Sequence, residues 1–230
     1  MAKIRFLRKN IFKYDFMNDL GRQMMKFDPE KMSIKDCHEL LVCAVLPRPI
    51  AFVSTIGANG VNNLAPFSYF TVLSSKPAIL GFGIGSKRDG GKKDTLANIE
   101  FSKDFVISVV TEDLAQAMNR TSGEYSPEVD EFQVAGLTAG KSDLVQSPRV
   151  AESPINIECR LKQILEFGEA PRINSFVIGE GLRIHMKEEL LRGNIAKADQ
   201  LKAIGRMGED FYCRTQDMFE MKRPEIQNNR

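Results

Sequence analysis

The sequence predicts a mainly β fold, a barrel with helices packed on its outside or over its ends, and three observations lead there. Short apolar, β-branched runs follow one another over about 40 residues between Pro49 and Ile84, joined by turn residues and not by helical patterns. Residues 155–162, Ile-Asn-Ile-Glu-Cys-Arg-Leu-Lys, alternate apolar and polar without a miss, the mark of a strand with one face on a core. A further strand-like run, Phe176 to Met186, follows closely enough to pair with it as a long hairpin.

Taken in order, residues 1–24 form a basic extension of unassigned role, and residues 25–230 form one domain. The opening MAKIRFLRKNIFKYDFMNDLGRQ carries spaced Phe, Ile and Leu, which fits a surface helix, a targeting peptide or an over-long start upstream of Met24 or Met25. Asp15 and Asp19 count against a transit peptide. Ser33-Ile-Lys-Asp36 marks a helix start with Ser33 as cap, a face of Leu40, Leu41 and Ala44, and a stop by Pro47. Pro49 to Ile56 is a strand, and Gly57-Ala-Asn-Gly60 supplies the tight turn that follows it. Val61 to Leu73 and Ala78 to Ile84 continue as strands. Asp94 caps a short helix over Thr95 to Phe101, Phe105 to Val110 is a strand, and Glu112 to Arg120 a second helix. The tail carries a helix from Ile195 to Ile204, stopped by Gly205, and extended pieces at 211–214 and 219–221.

Composition narrows the function. Lys+Arg number 32 against 30 Asp+Glu, a net charge of +2, too balanced for a protein devoted to nucleic acid or an anionic membrane surface. No run approaches the length of a membrane span, so the expected location is the cytoplasm. Cys37, Cys43, Cys159 and Cys213 match neither zinc-ligand nor redox C-x-x-C spacing and are expected to be reduced thiols.

Gly81-Phe-Gly-Ile-Gly85 has the wrong spacing for a dinucleotide fingerprint, and Gly91-Lys92-Lys93 fails as a Walker A. What remains is a glycine- and lysine-rich loop running into a helix N-terminus at Asp94-Thr95. Backbone amides, Ser86, Thr95 and lysines there suit a monophosphate cradle, and a solvated charged loop has the same composition. Asn62-Asn-Leu-Ala-Pro-Phe-Ser-Tyr-Phe-Thr71 places a proline in a strand, which leaves neighbouring backbone free to meet the polar edge of a flat ring such as an isoalloxazine. An edge strand without ligand is the plainer alternative. His38 and His185 stand without a carboxylate or second histidine at ligand spacing, and no Ser-His-Asp set is visible, so no catalytic side chain and no metal ligand is assigned.

Several stretches together resemble the flavin reductase-like, FMN-binding split-barrel proteins, including the flavoredoxin branch. They are Pro47-Arg-Pro-Ile-Ala-Phe-Val-Ser-Thr55, Asn62 to Phe70, Lys93-Asp-Thr-Leu-Ala-Asn-Ile99, Asn174-Ser-Phe-Val-Ile-Gly-Glu180, Gly205-Arg-Met-Gly, Tyr212-Cys-Arg-Thr and Phe219-Glu-Met. The resemblance implies a six-stranded Greek-key split barrel and a homodimer with one FMN per protomer near the dimer interface. Ala65, Pro66, Phe67 and Ser68 would contact the isoalloxazine, with Ser54, Thr55, Asn62 and Asn63 nearby. Ser86, Lys87, Lys93, Asp94 and Thr95, with Asn98 behind them, would hold the 5′-phosphate. Two departures stand out: the 86–93 loop is extended, and the chain has no Trp, so Phe52, Phe67 or Tyr212 must supply any aromatic contact. The implied activity is hydride transfer from NADH or NADPH to flavin and on to a small-molecule or protein acceptor. The alternatives are a flavoredoxin-type electron carrier and a ligand-binding barrel without flavin.

Overall fold

The computed structural model describes residues 18–19, 22–193 and 195–224. They fall into two compact units, one ending at Ala44 and the other beginning at Val45. Most of the basic extension lies outside the described residues. In the first unit, helix α1 spans Ile34–Ala44. Ser33 Oγ accepts from the Asp36 amide at 3.1 Å and donates to Asp36 Oδ2 at 2.7 Å, satisfying one of the amides that a helix start leaves without a partner. The expected apolar face is not what the helix buries. Leu40 and Leu41 are 37% and 54% exposed, and Val42 is buried.

The second unit is built on seven strands, β1 (Ala51–Ile56), β2 (Asn62–Phe67), β3 (Phe70–Ser75), β4 (Ala78–Ile84), β5 (Asp104–Val109), β6 (Ile155–Phe167) and β7 (Asn174–Met186). They lie in the order β2-β1-β5-β6-β7-β4-β3, every neighbour antiparallel. The run from 61 to 73, expected as one strand, breaks at Ser68-Tyr69. Its two halves lie on opposite margins of the sheet, so this two-residue link joins the margins, and the sheet must curl. Phe67 on β2 and Phe82 on β4 show the curl directly, with ring centroids 5.3 Å apart. Five strand spacings would separate them by roughly 24 Å on a flat sheet. The mainly β barrel expected from the sequence is therefore present, with seven strands in place of six because the 61–73 run supplies two. From β4 to β5 the chain passes through α2 (Asp94–Ser102), which brings β5 beside β1, the non-sequential step of a Greek key.

Two cores share β1. Ala51 and Val53 face a barrel interior filled by Phe67, Phe82, Phe105 and Val177. Ile50 and Phe52 face the outside, where Met118 of α3 (Ala115–Arg120) and Phe132 of α4 (Glu131–Ala135) cover them. Burial on both faces explains why this strand is a continuous apolar run and does not alternate. Helix α4 is not among the elements expected from the sequence; Asp130 caps it by accepting from the Phe132 amide at 2.9 Å.

Two expectations are corrected here. Lys93, not Asp94, occupies the N-cap of α2, without a side-chain bond; Asp94 lies in the first turn, where a carboxylate complements the positive helix end. The tail helix shrinks to Ala198–Leu201, and the chain re-extends as β8 (Ile204–Arg206), paired with β9 (Tyr212–Arg214). The Ile204 amide donates to the Val110 carbonyl at 3.1 Å, and Arg48 and Arg206 exchange backbone bonds of 3.0 and 2.8 Å. These ladder bonds and the burial of Ile204 outweigh the local helical pattern. Residues 216–224 form no strand.

Candidate flavin site

Strand β2 is a margin of the sheet, paired among the described residues only with β1, from Ala51↔Phe67 to Ile56↔Asn62. Its side chains alternate, as the pleat requires. Asn63 points toward α2 and forms the hub of a buried polar network. Its Oδ1 accepts the hydroxyls of Thr55 at 3.2 Å and Thr95 at 2.7 Å, and Asn98 Nδ2 donates to Thr55 Oγ1 at 3.0 Å. On its other side, Asn63 Nδ2 donates to Glu131 Oε1 at 2.9 Å, while the Leu64 amide donates to Glu131 Oε2 at 3.2 Å. Burial pushes the Glu131 carboxyl up. Bonds from its own amide, the Leu64 amide and Asn63 oppose this, Asp94 reinforces it, and the net direction is upward.

Four expected site residues thus converge: Thr55, Asn63, Thr95 and Asn98. Ser54 and Asn62 do not join them. Ser54 donates to the Pro148 carbonyl on the opposite face of β1, and Asn62 donates to Asp130 Oδ2 at 3.1 Å. Thr95 is 2% exposed and its hydroxyl is spent on Asn63, so what it offers a ligand is its backbone amide in the first turn of α2.

The loop before α2 brings Ser86, Lys87, Lys92 and Lys93 to this helix start, each engaged. Ser86 Oγ donates to the Ile173 carbonyl at 2.6 Å, Lys87 Nζ pairs with Asp94 at 2.8 Å, and Lys92 Nζ with Glu100 at 2.7 Å. Lys93 Nζ lies 3.9 Å from Glu124. The weakest of these ion pairs is that of Lys93, the lysine at the N-cap itself. An incoming anion at the helix start therefore meets a cation it can recruit at least cost.

At the far end of β2, Ala65 and Phe67 face inward. Phe67 is 8% exposed and Phe52 fully buried, so both side chains belong to cores and neither can stack on a ligand. Pro66 and Ser68 line a cavity of about 330 Å³ with Met118, Asn119, Arg206 and Tyr212. Tyr212, 37% exposed, is the aromatic that remains available of the three proposed, and the Arg206 guanidinium lies 4.6 Å above its ring. A neighbouring cavity of about 520 Å³ shares Met118, Asn119, Arg206 and Tyr212 and adds Glu112, Cys213 and Arg214. Sequence reasoning gave Arg48, Asn119 and Arg206 no role here, though Arg48 and Arg206 fall in stretches that carried the resemblance. Arg48, 6% exposed, donates from Nε to Ser68 Oγ at 3.3 Å and from Nη2 to the Met207 carbonyl at 2.9 Å, tying the margin-joining link to the tail.

The residues fit a flavin phosphate, ribityl chain and ring. Three extended residues, roughly 10 Å, run from Asn63 beside the α2 start to Pro66 beside the Tyr212 cavity. Along that edge β2 has no ladder partner among the described residues; the Leu64 amide is taken by Glu131, and Pro66 contributes no N–H.

A second constellation was missed. Glu158, fully buried on β6, receives His185 Nε2 at 2.5 Å and the amides of Asp143 and Leu144 at 2.9 and 2.6 Å. Asp143 Oδ2 lies 4.0 Å from His185 Nε2 and is held by Arg183 at 2.5 Å. His185 therefore does not stand alone; strand pairing supplies the partner that sequence spacing hid. Burial raises the Glu158 carboxyl, and the bonds from the Asp143 amide, His185 and the Leu144 amide outweigh it and hold the group below the usual glutamate range.

The margin strand of the barrel runs between a cation-rich helix start and a cavity lined by Tyr212, and the comparisons assign the class, a split barrel of the flavin reductase type. The family model described as flavin reductase like domain matches residues 43–203. An uncharacterised protein of Halalkalibacterium halodurans is 36% identical over 90% of this chain and 100% of its own. Nitrilotriacetate monooxygenase component B from Bacillus cereus superposes with a TM-score of 0.84 at 30% identity, covering 87% of this chain and all (100%) of its own. For the 2-nitrobenzoate 2-nitroreductase of Pseudomonas fluorescens the values are 0.78 and 27%, over 86% and 96%. The flavoredoxin of Desulfovibrio vulgaris (Miyazaki F), at 0.65 and 21% over 81% and 94%, shares the fold. The chain belongs to the flavin reductase like domain family, and its membership supports flavin-related redox chemistry.

Proposed function

We propose that the chain binds FMN along β2 and accepts hydride on it from NADH or NADPH for delivery to a small-molecule or protein acceptor. The observation that supports the reading is the contact of Thr95 with Asn63, which sets the start of α2, a helix end suited to an anion, beside the margin strand β2. When bound, FMN supplies the ring that exchanges hydride with a nicotinamide. The backbone amides of Asp94 and Thr95, with Lys93 and Lys87, would hold the phosphate. The outer edge of β2 from Asn63 to Pro66 would hold the ring's polar side. The cavity between Pro66, Ser68, Asn119 and Tyr212 leaves room for a second planar molecule, and Arg206, which lines it beside Asp210, would orient a donor phosphate or an anionic acceptor.

The expected assembly is a homodimer. It is supported by the 62% and 51% exposure of Val72 and Leu73 on the margin strand β3, where apolar side chains otherwise invite unplanned pairing. The free thiols suit the reducing cytoplasm, and no helix among the described residues is long and apolar enough to cross a membrane.

The deciding experiment is an anaerobic visible-absorbance scan of the purified protein before and after NADH and then NADPH. A flavin band that one nucleotide bleaches quickly supports the reductase and identifies its donor. A band that neither bleaches favours an electron carrier. Absence of a band after soaking with FMN removes the reading.

A further inference from the structure

The buried carboxylate of Glu131 does not line the cavity beside Tyr212; it takes one backbone amide from the outer edge of β2, that of Leu64, and fixes the orientation of the Asn63 side chain, on which the α2 end of the site depends. A carboxylate is acceptor-only, so both Glu131 oxygens demand donors: Asn63 Nδ2 meets one at 2.9 Å and the Leu64 amide meets the other at 3.2 Å. That demand leaves one orientation for the Asn63 amide, with its oxygen turned away from Glu131 and toward Thr55 and Thr95. The Thr95 hydroxyl then has an acceptor at 2.7 Å, and because Thr95 lies in the first turn of α2, the anchored side chain fixes how that turn faces outward.

We infer that Glu131 is a positioning residue for the flavin phosphate, acting through Asn63 and Thr95 to hold the first-turn amides of α2 in their receiving orientation. The inference rests on the flavin reading above and adds to it a specific dependence of the phosphate end on a residue of α4. Glu131→Gln is close to isosteric but replaces one acceptor by an NH2 donor. That donor faces either Asn63 Nδ2 or the Leu64 amide, one bond is lost, and Asn63 is free to flip its own NH2 toward Thr95.

The test compares FMN with riboflavin, which has the same ring and ribityl chain and no phosphate, by quenching of flavin fluorescence on titration with the full-length protein. In Glu131→Gln the preference for FMN over riboflavin should fall by about tenfold or more, the loss of one charge-assisted bond, with riboflavin affinity within about threefold of wild type. Thr95→Val should show the same signature and Thr95→Ser should keep the preference; if Glu131→Gln does not fold, Glu131→Asp, whose shorter side chain withdraws both acceptors, should lower the preference in the same way. Equal weakening of both flavins would reveal a general structural role and overturn the inference, as would an unchanged preference. Wild-type protein that binds neither flavin would instead remove the flavin reading, and the inference with it.

Discussion

His185 Nε2 lies 2.5 Å from Glu158 Oε1, a hydrogen-bond partner delivered across the β6–β7 ladder from 27 residues away. Glu158 is fully buried, and its carboxyl is held below the ordinary value of 4.5. A carboxyl lowered by folding binds protons more readily when the chain is unfolded. Its contribution to stability is therefore complete above that ordinary value and disappears as pH falls through the folded one. Glu158→Gln should lose about 2 to 4 kcal/mol at neutral pH, because the amide cannot accept all three donors. Urea melts over a pH series should show the gap to wild type closing in acid; a gap that stays constant would assign the loss to packing alone.

The phosphate end is tested by Lys93→Ala combined with Thr95→Ala. Loss of the recruitable cation and of the anchored first turn should weaken FMN binding by about 2 to 4 kcal/mol. Isothermal titration measures it, and undiminished affinity would place the phosphate elsewhere.

Tyr212→Ala removes the aromatic wall of the cavity beside Pro66 and Ser68 while leaving the α2 start intact. FMN affinity should change by less than about 1 kcal/mol, and the half-saturating nucleotide concentration in stopped-flow reduction should rise several-fold. The reverse pattern, weak FMN with normal nucleotide dependence, would mean that Tyr212 packs on the flavin itself.

Gly179 on β7 leaves room for the Phe105 ring: a Cβ there would meet Phe105 Cζ at 2.3 Å. Gly179→Ala should cost about 1 to 3 kcal/mol by overpacking the barrel interior, and Phe105→Leu in the same chain should recover part of it. Additive losses in a double-mutant cycle would contradict that contact.

If β3 carries the dimer contact, Val72→Glu with Leu73→Glu should convert the protein to monomer in light scattering behind size exclusion, with its circular dichroism unchanged. A persistent dimer would move the interface to another face.

The short-range features were legible in the chain. Ser33 before Ile34, the Gly57–Gly60 turn, the strict alternation of 155–162 and the continuous apolar 50–53 are decided by hydrogen bonds and burial within a few residues, and each produced the element expected. Of the candidate site, only its local structure was legible: the lysine loop entering a helix at Asp94, and the proline in the 62–71 segment. Where long-range terms compete, local pattern failed. Residues 195–204 have helical spacing, yet ladder bonds to Val110 and Arg48 drew 204–206 into a strand.

The sequence by itself determined that this is a mainly β chain with an irregular Asn-Pro strand and a cationic helix start, because composition, period and turn chemistry are properties of adjacent residues. Tertiary structure alone decided that Asn63 joins Thr55, Thr95 and Glu131, that Phe52 and Phe67 fill cores and leave the cavity to Tyr212, and that His185 meets Glu158. Each depends on strand register and on the closure of the barrel, which place residues tens of positions apart at bonding distance.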